Sequence, residues 1–411
     1  MLPDSDRDSQ LAVALVGRLL YNIYFYLLWK YPGPRLWAAS RIPWIWASTR
    51  GRVHRELQIL HAKHEPIVRI APNKLSYTTR SAWRTIYGHQ SVEMMKDLRG
   101  AGLLPTFKGT DSIVTAQRAD HARMRRTVAH AFSEKALREQ EHIYNFTTFN
   151  IMGDLSFGEP FGYLQEGQYH EWAAVYYGLT NLRVLFLPKK LVEAKENADA
   201  TAYEKVACRL GRKDLDRKDF ISYILRHNDE RGLTLPEIQE TAVVLIIAGS
   251  KQQPLSLRLI AEIRDKFRTY EEITIIATQD MKYLLAVVDE AFRVYAPSTN
   301  AFPRVVPKGG VEIDGQWVPG DMTLHDEHDV PAEHFVNDNK SVVQLFSFGP
   351  RACLGKSIAY AELRLIICKL LWSFDLQLAS EVANDSWAEK QDTYILWEKG
   401  PLMVQLAPVC R

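Results

Sequence analysis

The residues with most chemistry to offer are ten near the end of the chain, Phe346 to Gly355, reading FSFGPRACLG. Gly349 and Pro350 impose a turn, and Gly355 lets a backbone or a flat ligand come close. Directly after them, Ile358, Ala361, Leu365, Cys368 and Trp372 recur at helical spacing, which predicts a strong helix. Cys353 therefore stands just before a helix N-terminus, where free N–H groups and the positive helix end are expected to favour thiolate over thiol. A thiolate held on a turn beside a glycine is suited to ligating a metal from one side. The other cysteines, Cys208, Cys368 and Cys410, lie far away and form no CxxC pair. They support neither a zinc ribbon, a dithiol centre nor a disulfide framework, and they point to a reducing compartment. Cys368, on the apolar face of the predicted helix, reads as a small buried hydrophobe.

The elements that must position this loop are mostly helical. A chain of 411 residues, 46% hydrophobic and 24% charged, buries a large core. Its net charge of +2 gives no reason to expect a nucleic-acid partner. Thr234, Pro236 and Glu237 form a helix start that opens a deeply apolar segment, and two further helices are predicted over 258–268 and 281–294. Shorter pieces at 67–72 and 311–320 read as hairpin strands with glycine turns. The expected class is mainly α with a small β portion, as one domain over 31–411. Residues 1–30 form a membrane-anchor or interfacial helix. Residues 11–29 are almost wholly apolar and long enough to span a bilayer, but Arg18 at their centre costs roughly 2.5–3.5 kcal/mol on insertion scales. The Tyr, Phe and Trp content suits an interfacial helix at least as well, and a buried first helix is the alternative.

Phe346, Gly349, Arg351, Cys353 and Gly355 fill every fixed position of Phe-x-x-Gly-x-Arg-x-Cys-x-Gly. The loop resembles the proximal heme loop of the cytochromes P-450, the heme-thiolate monooxygenases. Glu290 and Arg293 resemble the family's Glu-x-x-Arg pair, and Arg304, in PSTNAFPRVVP, matches the arginine that contacts a heme propionate. Residues 119–133 resemble the family's helix C in a fungal form, with His121 and Arg125 one turn apart and both in reach of the propionates. YPGPRLWAASRIPW, IVRIAPNKLSY and NDNKSVVQLFSFGPR give the likeness its particular colour, that of fungal secondary-metabolite hydroxylases of the isotrichodermin hydroxylase kind. The resemblance implies the cytochrome P-450 fold, a heme cofactor, Cys353 as axial iron ligand and insertion of one oxygen atom into a small hydrophobic substrate. It implies electrons from an NADPH-dependent flavoprotein reductase, met by a basic proximal face of Lys356, Lys369, Arg125 and Arg126. It also implies an endoplasmic-reticulum membrane location, with the catalytic domain facing the cytosol.

Three departures set this chain apart. After Ala248-Gly249 the family carries an acid-alcohol pair that organises protons over oxygen, whereas here Ser250 is followed by Lys251, Gln252, Gln253 and the helix-breaking Pro254. Residues 139–149 leave no room for a helix expected there, and residues 318–335 lack the arginine that completes the network of Glu290 and Arg293. All three remove material rather than exchange residues, so the expected fold is a shortened one, as an exon-skipped or degenerating gene product would give. A heme-binding or vestigial member that cannot activate oxygen is the alternative to an active monooxygenase, and an apo scaffold whose core never closes is a third.

Overall fold

The computed structural model describes residues 4–64, 66–97, 110–139, 219–229, 232–248, 257–298, 302–326, 344–378, 391–393, 397–398 and 404–409, together with 204, 206–207 and 209–210. Among the described residues the helices are α1 (Asp4–Tyr24), α2 (Arg35–Ala39), α3 (Ile42–Thr49), α4 (Val53–His64), α5 (Arg80–Tyr87), α6 (Arg118–Val128), α7 (Glu134–Glu139), α8 (Phe220–His227), α9 (Leu235–Ala248), α10 (Leu257–Lys266), α11 (Lys282–Val294) and α12 (Lys356–Ser373). A five-stranded sheet runs in the order β1 (Ile67–Ala71), β2 (Lys74–Tyr77), β7 (Thr323–Asp326), β4 (Arg304–Val305) and β3 (Met95–Lys96). Strands β2 and β7 are parallel, with Lys74 opposite Thr323 and Tyr77 opposite Asp326. The other neighbours are antiparallel. The hairpin expected over 311–320 is β5 (Val311–Ile313) and β6 (Gln316–Val318), turned by Asp314 and Gly315 at φ 52° and 73°.

Local signals place these elements. The helix start at Thr234 is realised by Glu237, whose carboxylate accepts the Thr234 N–H at 2.8 Å while binding Arg123 of α6 at 2.6 Å. Asp219 caps α8 by accepting the Ser222 N–H, and it also pairs with buried Arg209 at 2.7 Å. The predicted inner face of α12 is buried as its spacing required, Ile358, Ala361, Leu365 and Cys368 each being 4% exposed or less. These side chains share one helical core with Met124 of α6, Phe220 of α8, Leu259 of α10 and Leu284 of α11. A second core, containing Trp83 of α5, Leu75, Leu324 and Ile313, packs beside the sheet.

The first helix is not buried: Leu11, Val13, Leu15, Val16 and Leu20 are all exposed, and its end is held by Asn22 Nδ2 donating to the Ala39 carbonyl at 2.7 Å. Nor does it satisfy the spanning alternative, because among the described residues no helix is long and apolar enough to cross a membrane. The segments carrying the three departures, 249–256, most of 139–149 and 327–335, lie outside the described residues.

Glu362 of α12 is buried in this interior, and its Oε1 has no hydrogen-bond partner. Burial pushes its carboxyl up to about 8. A pKa raised on folding stabilises the folded state at low pH, and that contribution is lost as pH rises from the unfolded value of 4.5 towards 8. Glu362→Gln is therefore expected to raise stability at pH 8.5 by on the order of 2–3 kcal/mol and to change little at pH 4.5. Urea unfolding at the two pH values checks this.

Candidate active site

The loop over 346–355 is closed by its own backbone. Cys353 N–H donates to the Phe346 carbonyl at 2.8 Å, and Ala352 N–H donates to Gly349 at 3.1 Å. Gly349 turns the chain at φ 70°, where a side chain is strained, and a Cβ there would lie 2.2 Å from the Tyr87 carbonyl oxygen at the end of α5. Phe346 packs edge-to-face on Phe292 at 5.6 Å and obliquely on Tyr360 at 5.7 Å, and Tyr360 donates to Asp289 Oδ1 at 2.6 Å. Asp289 and Phe292 belong to α11, as do Glu290 and Arg293. Those two form a two-bond fork one turn apart, Nε to Oε2 at 2.8 Å and Nη2 to Oε1 at 2.7 Å. The helix that carries the expected acid–base pair thus also grips the cysteine loop.

Cys353 is solvent-accessible, yet enough protein surrounds it to desolvate its charge. That burial raises its pKa above the ordinary 9, against the lowering by the Gly355 and Lys356 N–H groups and by Arg125. The sequence expectation of a favoured thiolate is corrected here: the helix end acts in the anticipated direction, but desolvation outweighs it. Gly355 keeps space beside that sulfur. Its φ is −77°, and an added Cβ would sit 3.7 Å from Sγ in ordinary contact, so no protein neighbour requires glycine. This is a cradle a side chain would fill.

Next to the loop, positive charge accumulates. Arg125 of α6 donates to the Ala352 carbonyl at 2.6 Å, fixing it against the cysteine turn. His121, one turn earlier, is buried and held neutral, down to about 3, by desolvation and then by Arg351, Lys96, Arg125 and Arg304. Arg304 is 3% exposed, lies over the Tyr87 ring at 5.0 Å and has an Nη1 without a partner. Arg351 has an Nη2 in the same condition. Lys96 of β3 donates to the Val114 carbonyl at 2.7 Å and rests over the Phe302 ring at 4.6 Å. Desolvation, Arg304 and Arg351 push its pKa well below normal. Lys96 and Glu93, the carboxylate that Arg351 meets, are functional candidates that the sequence reading missed, since neither belongs to a local motif.

Buried guanidinium nitrogens without partners are costly unless an anion meets them. An accessible thiol, room for a side chain beside it and guanidinium nitrogens of Arg304 and Arg351 without partners fit a flat iron macrocycle bearing two carboxylates. Cys353 would hold the iron, while Arg304, Arg351 and Lys96, with neutral His121 as a hydrogen-bond donor, would hold the carboxylates. Arg125 is committed to the Ala352 carbonyl through one of its nitrogens.

Comparison with known proteins agrees. The Cytochrome P450 family profile matches residues 141–324 and 331–406. Cytochrome P450 monooxygenase astJ of Aspergillus oryzae is 36% identical over 95% of this chain and 94% of its own length. Cytochrome P450 monooxygenase alt3 of Alternaria solani is 36% identical over 95% and 91%, and averantin hydroxylase of Dothistroma septosporum is 33% identical over 96% and 91%. The first of these alignments runs over 476 positions, more than the 411 residues this chain possesses, so that relative carries stretches with no counterpart here. The family profile and the kinship make this chain a member of the cytochrome P450 family, a heme-binding group of enzymes, and place it among the monooxygenases of fungal secondary metabolism.

Proposed function

We propose that this chain hydroxylates a small hydrophobic secondary metabolite, with Cys353 as the axial ligand of heme iron and an NADPH-dependent flavoprotein reductase as its electron donor. The observation that carries the reading is an accessible Cys353 thiol in the same loop as Arg351, whose buried Nη2, like Nη1 of Arg304, has no partner. Heme, when bound, supplies the oxygen-activating redox chemistry. The chain's own part is positional. Phe346 is wedged by Phe292 and Tyr360, so the sulfur is presented from a fixed turn, and the Gly355 and Lys356 N–H groups stabilise its negative charge. Arg126, next to Arg125, and Lys356, next to Gly355 at the end of the loop, are both exposed and offer positive charge to an acidic partner. Lys369 lies against the Tyr270 ring at 4.2 Å.

The test has two stages. Reduced protein with carbon monoxide should give the spectrum of thiolate-ligated heme, and its absence in a heme-loaded sample would refute the ligand assignment. Reductase, NADPH and a panel of hydrophobic metabolites should then give a product larger by one oxygen atom. Heme uptake with no product would favour the second reading, a heme-binding member unable to activate oxygen. The sequence Ser250-Lys-Gln-Gln-Pro254, in place of an acid-alcohol pair, speaks for that reading.

The exposed Leu11, Val13, Leu15, Val16 and Leu20, followed by Tyr24, Phe25 and Trp29, support lateral docking of α1 on the cytosolic face of the endoplasmic reticulum. The full chain is expected to float with phospholipid vesicles. The double variant Leu11→Asp, Leu15→Asp should stay with the soluble fraction, and equal flotation of both would refute docking through this face.

A further inference from the structure

The cationic cradle holds a carboxylate. Arg351 Nε donates to Glu93 Oε1, and Arg351 Nη1 donates to the Ala116 carbonyl at 2.9 Å. Arg351 Nη2 is buried and has no partner. Glu93 is itself only 13% exposed, and its other oxygen lies 3.9 Å from Arg118 Nε. A guanidinium is a rigid planar fork, so fixing two of its nitrogens fixes the third. Here the two fixing groups come from segments far from the cysteine loop in sequence, and neither involves the loop itself.

An anion among cations has two opposed meanings. It can compete with an incoming anionic ligand for the arginine, or it can orient the arginine and reduce the mutual repulsion of the cations around it. Competition would place the carboxylate across the nitrogens that a ligand needs. Glu93 instead takes Nε and leaves Nη2 open, while its charge favours the charged forms of Lys96 and Arg304. We propose that Glu93 is a positioning residue for cofactor binding, which holds Arg351 so that Nη2 remains for a carboxylate of heme. This rests on the heme reading above.

The test compares wild type, Glu93→Gln and Glu93→Ala, each stripped of heme and reloaded with hemin or with hemin dimethyl ester, whose carboxylates are blocked. The readout is heme release to an excess of a scavenging apoglobin. Glutamine keeps an acceptor without the charge, so hemin release should quicken about tenfold in Glu93→Gln and more in Glu93→Ala. With the dimethyl ester the three proteins should release at one rate. Arg351→Gln should mask the effect, so that adding Glu93→Gln to it changes release little. Variants that hold hemin as tightly as wild type, or more tightly, would overturn the proposal and make Glu93 a bystander or a competitor. Acceleration that persists undiminished with the ester would overturn it too, showing general loosening instead. A wild-type chain that takes up no hemin defeats the heme reading itself, an outcome distinct from failure of Glu93 alone.

Discussion

Replacing Cys353 with alanine is expected to abolish the carbon monoxide spectrum of thiolate-ligated heme, and with it any turnover. The loss is complete because the described part of the chain holds no substitute. Its other described thiol, Cys368, is fully buried on the inner face of α12, 3.9 Å from the Met281 sulfur. Burial in that apolar setting pushes it up to about 12, so it stays a neutral thiol with no path to a ligand. Cys368→Ala is accordingly expected to keep the spectrum while unfolding at a lower temperature, because it leaves a small void in the helical core. Recording reduced carbon monoxide spectra of both variants, at matched heme content, separates ligand from packing residue. A Cys353→Ala spectrum identical to wild type would remove Cys353 from the site.

The second large effect belongs to a residue without a side chain. In Gly349→Ala the new methyl would sit 2.2 Å from the Tyr87 carbonyl oxygen and 3.0 Å from Gly88 Cα, both backbone atoms that cannot swing aside. The positive φ of Gly349 adds about 1–2 kcal/mol for any residue with a Cβ. To relieve both, the loop must lift from α5. Tyr87 also lies beneath Arg304 and donates its hydroxyl to the Phe302 carbonyl at 3.4 Å, so the displacement reaches the cationic cradle as well as the cysteine. A loss of stability on the order of 3 kcal/mol or more is expected, with a large fall in the share of protein that shows the thiolate spectrum. Thermal unfolding and the carbon monoxide spectrum check the two parts separately. An alanine variant that melts with wild type would show that the loop does not rest on α5 as described.

Much of this site was legible because its parts are local. Phe346 to Gly355 is one short stretch, Glu290 and Arg293 are one helical turn apart, and the period of Ile358, Ala361 and Leu365 fixed the inner face of α12 before any contact was known. What stayed illegible depends on long-range closure. Glu93 meets Arg351 across 258 positions of sequence, and Lys96 joins Arg304 through the pairing of β3 with β4. Neither is marked by a motif, because a half-buried lysine and a half-buried glutamate look like surface charges until the sheet forms. The ionisation of Cys353 failed for a related reason. A helix end can be read from neighbouring residues, but the desolvation that opposes it comes from the surrounding fold. The three departures were visible as missing family residues, and the surplus length of the astJ alignment agrees with material absent from this chain.

The parallel pairing of β2 with β7 has a consequence for the order of assembly. Residues 74–77 leave the ribosome some 250 residues before their partners at 323–326. Until then β2 can pair only with β1, and its other edge is left open to wrong partners. Strand β4, which carries Arg304, also pairs with β7, so this wall of the cradle closes only when nearly four-fifths of the chain has been made. Cys353 follows later still. Heme capture through Cys353, as proposed, would then be a late event in the birth of this protein, following closure of the sheet that carries Arg304.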